Sequence, residues 1–224
     1  MPTTGKLFAD FLIHLHWQEK LPDGISVINP YSQPEVKKVI HSFCDSFYGN
    51  NNKRTLILGI NPGRFSAGIT GVPFTDPVNL EKECGIDNSF EKKHELSSRF
   101  IYDLIAGFGG PQKFYDKFLL SAVCPLGFLN GIKNYNYYDT PSLFKTSQNF
   151  IKKSLEHHAG WHVNTTTVIS LGKKNAASLE LINKELKLFG NIITLEHPRY
   201  IMQYKLRKKQ DYIHSYCEVL NGLI

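Results

Sequence analysis

Two stretches, far apart in the chain, place a polar side chain directly after a short apolar run. The first is Thr55 to Phe74, TLILGINPGRFSAGITGVPF. Thr55 to Leu58 is apolar and partly β-branched, which predicts a buried strand that stops at Gly59 ahead of the turn-forming Asn61-Pro62-Gly63. Such a strand delivers Asn61 to its carboxyl edge, where an open α/β sheet binds ligands because the loops leaving the strands converge there. Gly63, Gly68 and Gly71, with Ser66 and Ala67 between them, let a backbone approach a ligand without side chains in the way. Phe65 and Phe74 put two aromatic rings in the same loop. A Gly-rich string by itself is equally compatible with a plain surface loop. The second stretch is Asn191 to Glu196, NIITLE, another strand-like run, which leads into His197-Pro198.

The order of residues narrows the choice. Asn61-Pro62-Gly63, then Phe65, then Thr70-Gly71-Val72-Pro73-Phe74 resembles, without a gap, the first motif of the SMUG-type uracil-DNA glycosylases. That motif reads Gly-Met-Asn-Pro-Gly-Pro-Phe-Gly and closes with Thr-Gly-Val-Pro-Phe. A His-Pro at the end of a later strand is the second motif of the superfamily and falls at His197-Pro198. A weaker Cys-Pro-Leu lies between them at 124–126. Arg64 and the run His197-Pro198-Arg199-Tyr200 look more like a bacterial second subgroup, associated with xanthine as well as uracil.

The resemblance implies an enzyme that flips a deaminated base out of DNA and hydrolyses its N-glycosidic bond. In that reading Asn61 is catalytic: its amide accepts a hydrogen bond from water and holds it under C1′, which suffices if the glycosidic bond is largely broken before water attacks. His197 donates to O2 of the leaving base, where negative charge collects. Phe74 stacks on the base, Ile60, Gly63 and Phe65 complete the pocket, and no lysine stands at a motif position suited to a Schiff base, so the expected enzyme is monofunctional. Some branches of the superfamily carry a four-cysteine iron–sulfur cluster, but Cys44, Cys84, Cys124 and Cys217 are dispersed and include no Cys-x-x-Cys. Neither a cluster, a metal nor another cofactor is expected.

One position departs from the family. Phe118 to Val123 predicts a second strand ending at Cys124-Pro125-Leu126. The Asn with which the family reads the amide edge of the base falls at Ala122, and a methyl group cannot supply a paired donor and acceptor. Either Ser121, a backbone group or Asn130 reads the base, or the base is different.

The remaining elements must position these groups. Residues 6–18 and Pro34 to Phe47 predict helices, and the Pro- and Gly-containing stretch between them a connector. A polar segment from Asp76 to Lys93 precedes a helix at Glu95 to Ala106, and the Asn- and Tyr-rich stretch from Gly127 to Pro141 reads as a loop. A helix from Thr140-Pro141 to His158, a strand at Thr165 to Leu171 and a helix at Lys174 to Leu186 follow. From Arg54 onward strands and helices alternate, so the expected fold is a three-layer α/β/α domain with a small, largely parallel sheet. Residues 1–50 form its N-terminal helical part and the whole of 1–224 one domain. His157-His158, at a helix end, read as cations favoured by the helix dipole.

Lys and Arg number 26 against 20 Asp and Glu, a formal charge of +6, which favours an anionic partner. No apolar run approaches about 18 residues and MPTTGKLF lacks a secretory pattern, so a soluble, cytoplasmic, monomeric protein is expected. After His197-Pro198 the tip Arg199, Tyr200, Ile201 and Met202, with Lys205 beyond, suits a bulky wedge in the DNA stack flanked by phosphate contacts. Gln203 to Leu220 reads as one amphipathic helix. Two rivals remain at this level: a non-catalytic nucleic-acid-binding module of the same fold, which Ala122 favours, and a hydrolase of free nucleosides, which needs neither wedge nor basic rim.

Overall fold

A computed structural model describes residues 1–224. In chain order the elements are α1 (Thr4–Ile13), β1 (Ile25–Ile28), α2 (Pro34–Tyr48), β2 (Arg54–Gly59), α3 (Ala67–Thr70), α4 (Pro77–Lys82), α5 (Leu96–Phe108), α6 (Pro111–Lys117), β3 (Phe118–Ala122), β4 (Gly127–Asn130), β5 (Lys133–Tyr135), α7 (Pro141–Ala159), β6 (Val163–Leu171), α8 (Lys173–Leu186), β7 (Asn191–Leu195), α9 (Pro198–Tyr204) and α10 (Lys209–Asn221). Single 3-10 turns at Pro30–Ser32 and Leu206–Lys208 complete them.

The central sheet has the order β3-β2-β6-β7 with every pair parallel. All six residues of β2 are buried, as a strand covered on both faces requires, and its apolar run is what the sequence displays. Helices α7 and α8 pack on one face, and α6, with α2 and α5 behind it, on the other. This is the expected three-layer arrangement. From β2 the chain passes to β3 on one side, then crosses to β6 on the other, so the carboxyl end of β2 is the point where the connections diverge and a crevice opens.

Three local expectations are corrected. The stretch after Gly127 is not a loop: β4 pairs with β1, Ile28 opposite Gly127, and β5 pairs back on β4, giving a second, antiparallel sheet. Strands of three or four residues, half exposed, are too short to show alternation; only the turn at Asn130-Gly131, with Gly131 at φ +58°, was visible. The first helix ends at Ile13 instead of running to residue 18. The C-terminal helix is broken at Lys205, φ −129°, although no residue there is a helix breaker. Both α9 and α10 pack on α5, so two consecutive segments must fold back on one support, and that tertiary demand overrides local propensity.

Candidate active site

The crevice is a cavity of about 720 Å³ lined from the ends of β2, β3 and β7, the motif loop, β5 and α9. Asn61 follows β2 directly and its half-buried amide is held at both ends. Nδ2 donates to the carbonyl of Tyr135 at 3.2 Å, and Oδ1 accepts from the backbone N–H of Tyr137 at 3.2 Å. Since a carbonyl can only accept and an N–H only donate, these bonds fix which end of the amide is which. One lone pair of Oδ1 remains for a ligand. The second sheet thus has a purpose: β5 and the residues after it clamp the motif loop, which Asn134 reinforces by accepting from Arg64 N at 3.1 Å.

Phe74 adopts φ +56°, a conformation costly for a bulky residue and held only where the surroundings dictate it. They do. Thr70 Oγ1 donates to the Thr75 carbonyl at 2.7 Å, and Thr75 Oγ1 pairs with the Tyr102 hydroxyl at 2.9 Å. The buried carboxylate of Asp76 accepts from Asn79 N at 2.8 Å and from Glu95 N at 2.9 Å. So fixed, the ring presses on Gly59, where a Cβ would stand 2.5 Å from Cζ.

His197 caps α9: its Nδ1 accepts from the backbone N–H of Arg199 at 3.1 Å. Burial, and secondarily the charge of Arg199, depress its pKa to about 4, so the ring is neutral near pH 7 and its proton sits on Nε2. The ring lies 6.4 Å from that of Phe74. Gly172, at φ +100°, backs it so closely that a Cβ there would lie 3.3 Å from the Cβ of His197.

The structure brings Ile60, Gly63, Arg64, Phe65, Phe74, Ala122, His197, Arg199 and Tyr200 to this cavity together with Asn61. Arg64 stacks on the exposed ring of Phe65 at 4.3 Å. Other assignments change. Ser121 lines the cavity, but its hydroxyl is engaged by His158 Nε2 at 2.6 Å. That histidine is fully buried and accepts the hydroxyl while its Nδ1–H donates to the Ser154 carbonyl. Desolvation pushes its pKa down to about 4, so it is no helix-end cation, contrary to the sequence reading. Asn130 is the last residue of β4, before the β4–β5 turn, and lies outside the cavity lining. Ile201 and Met202 are buried in the core, with exposures of 0% and 7%, and have no surface to offer DNA. Lys205 is exposed past the end of α9 but does not line the cavity.

Two residues at the mouth were not among the sequence candidates, Gln203 and Tyr204. Tyr204, 70% exposed, packs against Tyr200 with ring centroids 5.5 Å apart and the rings tilted by 42°. The signal for it was the i, i+4 spacing, readable once Pro198 starts a helix. Asn134 and Asn136, also lining the cavity, were hidden in the stretch read as a loop.

The strand ends, the clamped amide and the neutral imidazole define a class. A family model for the uracil DNA glycosylase superfamily matches residues 46–221, and the chain belongs to that superfamily. Over its full length it is similar to the crystal structure of wild-type Pedobacter heparinus SMUG2, with a TM-score of 0.95 and 42% identity, covering 100% of this chain and 99% of that one. It is a SMUG2-type DNA glycosylase, a hydrolase of N-glycosidic bonds. A comparison with curated proteins gives no match. No helix is long and apolar enough to cross a membrane, and no three His, Cys, Asp or Glu side chains come together as a metal-binding group.

Proposed function

We propose that the protein excises uracil or xanthine from DNA after rotating the damaged nucleotide into the cavity, and leaves an abasic site. The observation that carries this reading is the pairing of a clamped amide, Asn61, with a neutral imidazole, His197, across one cavity that also holds the Phe74 ring. The base stacks on Phe74. The free lone pair of Asn61 Oδ1 accepts a hydrogen bond from water and holds the oxygen near C1′, and His197 Nε2–H donates a hydrogen bond to the base oxygen as charge leaves with it. The neutral ring can fill this role, since with Nδ1 accepting from Arg199 its Nε2 keeps an N–H for charge that develops in the transition state.

Arg199 and Tyr200, extended by Tyr204, stand at the mouth on α9 and take the place vacated in the stack, while Arg64 and Lys205 reach phosphates. The partner is DNA carrying deaminated bases, met by a monomer in the cytoplasm. Lys133, the one lysine on the cavity, is exposed at its rim, so no lyase step is assigned. Oligonucleotides carrying uracil, xanthine, hypoxanthine or hydroxymethyluracil, incubated with the protein and then treated with alkali, test the reading. Strand scission at uracil or xanthine is expected, with a rate lowered ~10² or more by Asn61→Ala while DNA affinity is kept. Equal losses of affinity and rate in that variant would mean that Asn61 binds and does not catalyse.

A further inference from the structure

Asn175 lies in the first turn of α8, fully buried and outside the cavity lining. Its Nδ2 donates to the carbonyls of Leu58 at 3.2 Å and Gly59 at 3.1 Å, the last two residues of β2, and lies 3.0 Å from Ser170 Oγ. Its Oδ1 accepts the hydroxyl of Tyr137 at 2.9 Å. Tyr137 is itself buried, and its backbone N–H is the group that fixes Asn61 Oδ1. A closed circuit results. It runs from Gly59 through Ile60 to Asn61, across to Tyr137, through the phenol to Asn175, and back to Gly59.

The sheet does not need this amide. Gly59 O already accepts from Val123 N at 2.9 Å, so Asn175 adds a second bond to a satisfied carbonyl. Nor is the amide mere filling between α8 and the sheet, since an apolar side chain there would leave the buried Tyr137 hydroxyl without its acceptor. What Asn175 does connect is the strand that delivers Asn61 and the segment that clamps it. We propose that Asn175, acting through Tyr137, is a positioning residue: it sets the gap between the end of β2 and the chain after β5, and so the aim of the free Asn61 lone pair. The proposal rests on the reading that Asn61 holds the attacking water.

The test is a double-mutant cycle read by single-turnover excision from duplexes containing uracil and, separately, xanthine, with the affinity for an undamaged duplex measured alongside. Tyr137→Phe keeps the ring and removes only the hydroxyl; Asn175→Ala removes the hub. Tyr137→Phe is expected to slow excision about 10-fold or more, within the ~10²-fold that a displaced catalytic group costs, at unchanged DNA affinity. In an Asn61→Ala background that factor should vanish, because there is no amide left to aim. The same factor in both backgrounds, or an unchanged rate in Tyr137→Phe, overturns the proposal even if Asn175→Ala fails to fold. An unchanged rate in Asn61→Ala alone overturns the underlying reading instead, and the proposal with it.

Discussion

The backbone N–H of Arg199 donates to Nδ1 of His197 at 3.1 Å, and that single bond decides the chemistry of the imidazole. A nitrogen that accepts cannot carry the proton, so the hydrogen is on Nε2, the other ring nitrogen. Burial and, second, the Arg199 charge depress the pKa of the ring to about 4, and protonating Nδ1 would in addition set two N–H groups against each other.

The excision rate should therefore not follow an ordinary histidine titration. The donor is the neutral ring, present above the folded-state pKa. Single-turnover rates should be flat from neutral pH down through 6.5 and decline only as the pH approaches about 4. A loss of rate centred near 6.5 would mean that the ring is ordinarily solvated and the tautomer unfixed. Replacing His197 by Ala should slow cleavage ~10² to 10³ with the fold intact, as expected when one charge-stabilising donor is lost.

His158 makes a parallel prediction for stability. Buried between Ser121 and Ser154, it takes up a proton at about 4 in the folded chain against an ordinary 6.5. The unfolded state therefore binds more protons between these values, so its contribution to stability is complete above pH 6.5 and is lost as the pH falls toward 4. The slope is about 1.4 kcal/mol per pH unit for each such histidine, and His197 adds to it. Urea melts at pH 7 and pH 5 should differ by about 2 kcal/mol or more; equal midpoints would show that His158 reaches solvent in the folded state.

Gly59 is where the site is least tolerant of added volume. A methyl group there would meet the Phe74 ring at 2.5 Å, and the ring cannot swing freely because its backbone is held at φ +56° by the Thr70, Thr75 and Asp76 bonds. Gly59→Ala should cost 10-fold or more in excision, on the order of 1.4 kcal/mol of transition-state stabilisation, and should also lower the thermal stability, since overpacking a buried position costs about 1–3 kcal/mol. Full activity in that variant would remove Phe74 from the stacking role.

Arg199→Ala with Tyr200→Ala should impair duplex substrates far more than single-stranded ones, because only a duplex has a stack to re-close. Adding Tyr204→Ala should deepen the difference, since the two tyrosine rings pack against each other. Equal effects on both substrate forms would discard the wedge.

The sequence was most legible where one motif both forms an element and carries chemistry. Thr55–Leu58 is buried on both faces and apolar from Leu56 onward, so strand, carboxyl edge and Asn61 could be read in one step. It was least legible where a residue's neighbours come from distant segments. Ile201 and Met202 share bulk with Tyr200, and only the packing of α9 on α5 separates the core side of that helix from the cavity side. The clamp on Asn61 is made by backbone groups of Tyr135 and Tyr137, which no residue type can announce. Likewise Ser121 and Ala122 are neighbours on one strand, so their side chains point to opposite faces; the bond from the serine to His158, a residue far along the chain, marks which face is turned from the cavity.

That alternation sharpens the question of base choice. With the Ser121 hydroxyl engaged and Asn130 outside the cavity, the side chain that β3 presents to the cavity is the methyl group of Ala122. An amide at that place would reject a mismatched base by leaving a buried donor or acceptor unpaired, at a cost of ~1 to 3 kcal/mol. Ala122 imposes no such cost and leaves more room, so the pocket should admit a larger deaminated purine. Xanthine is favoured, since it shares the dioxo edge of uracil and departs as a stabilised anion. Ala122→Asn should shift the ratio of excision rates toward uracil by ~10-fold, equivalent to about 1.4 kcal/mol of differential contact. If the wild type removes uracil efficiently and ignores xanthine, or if the substitution leaves the ratio unmoved, the base is read by another group, and the cavity-lining amides of Asn134 and Asn136 become the next positions to exchange.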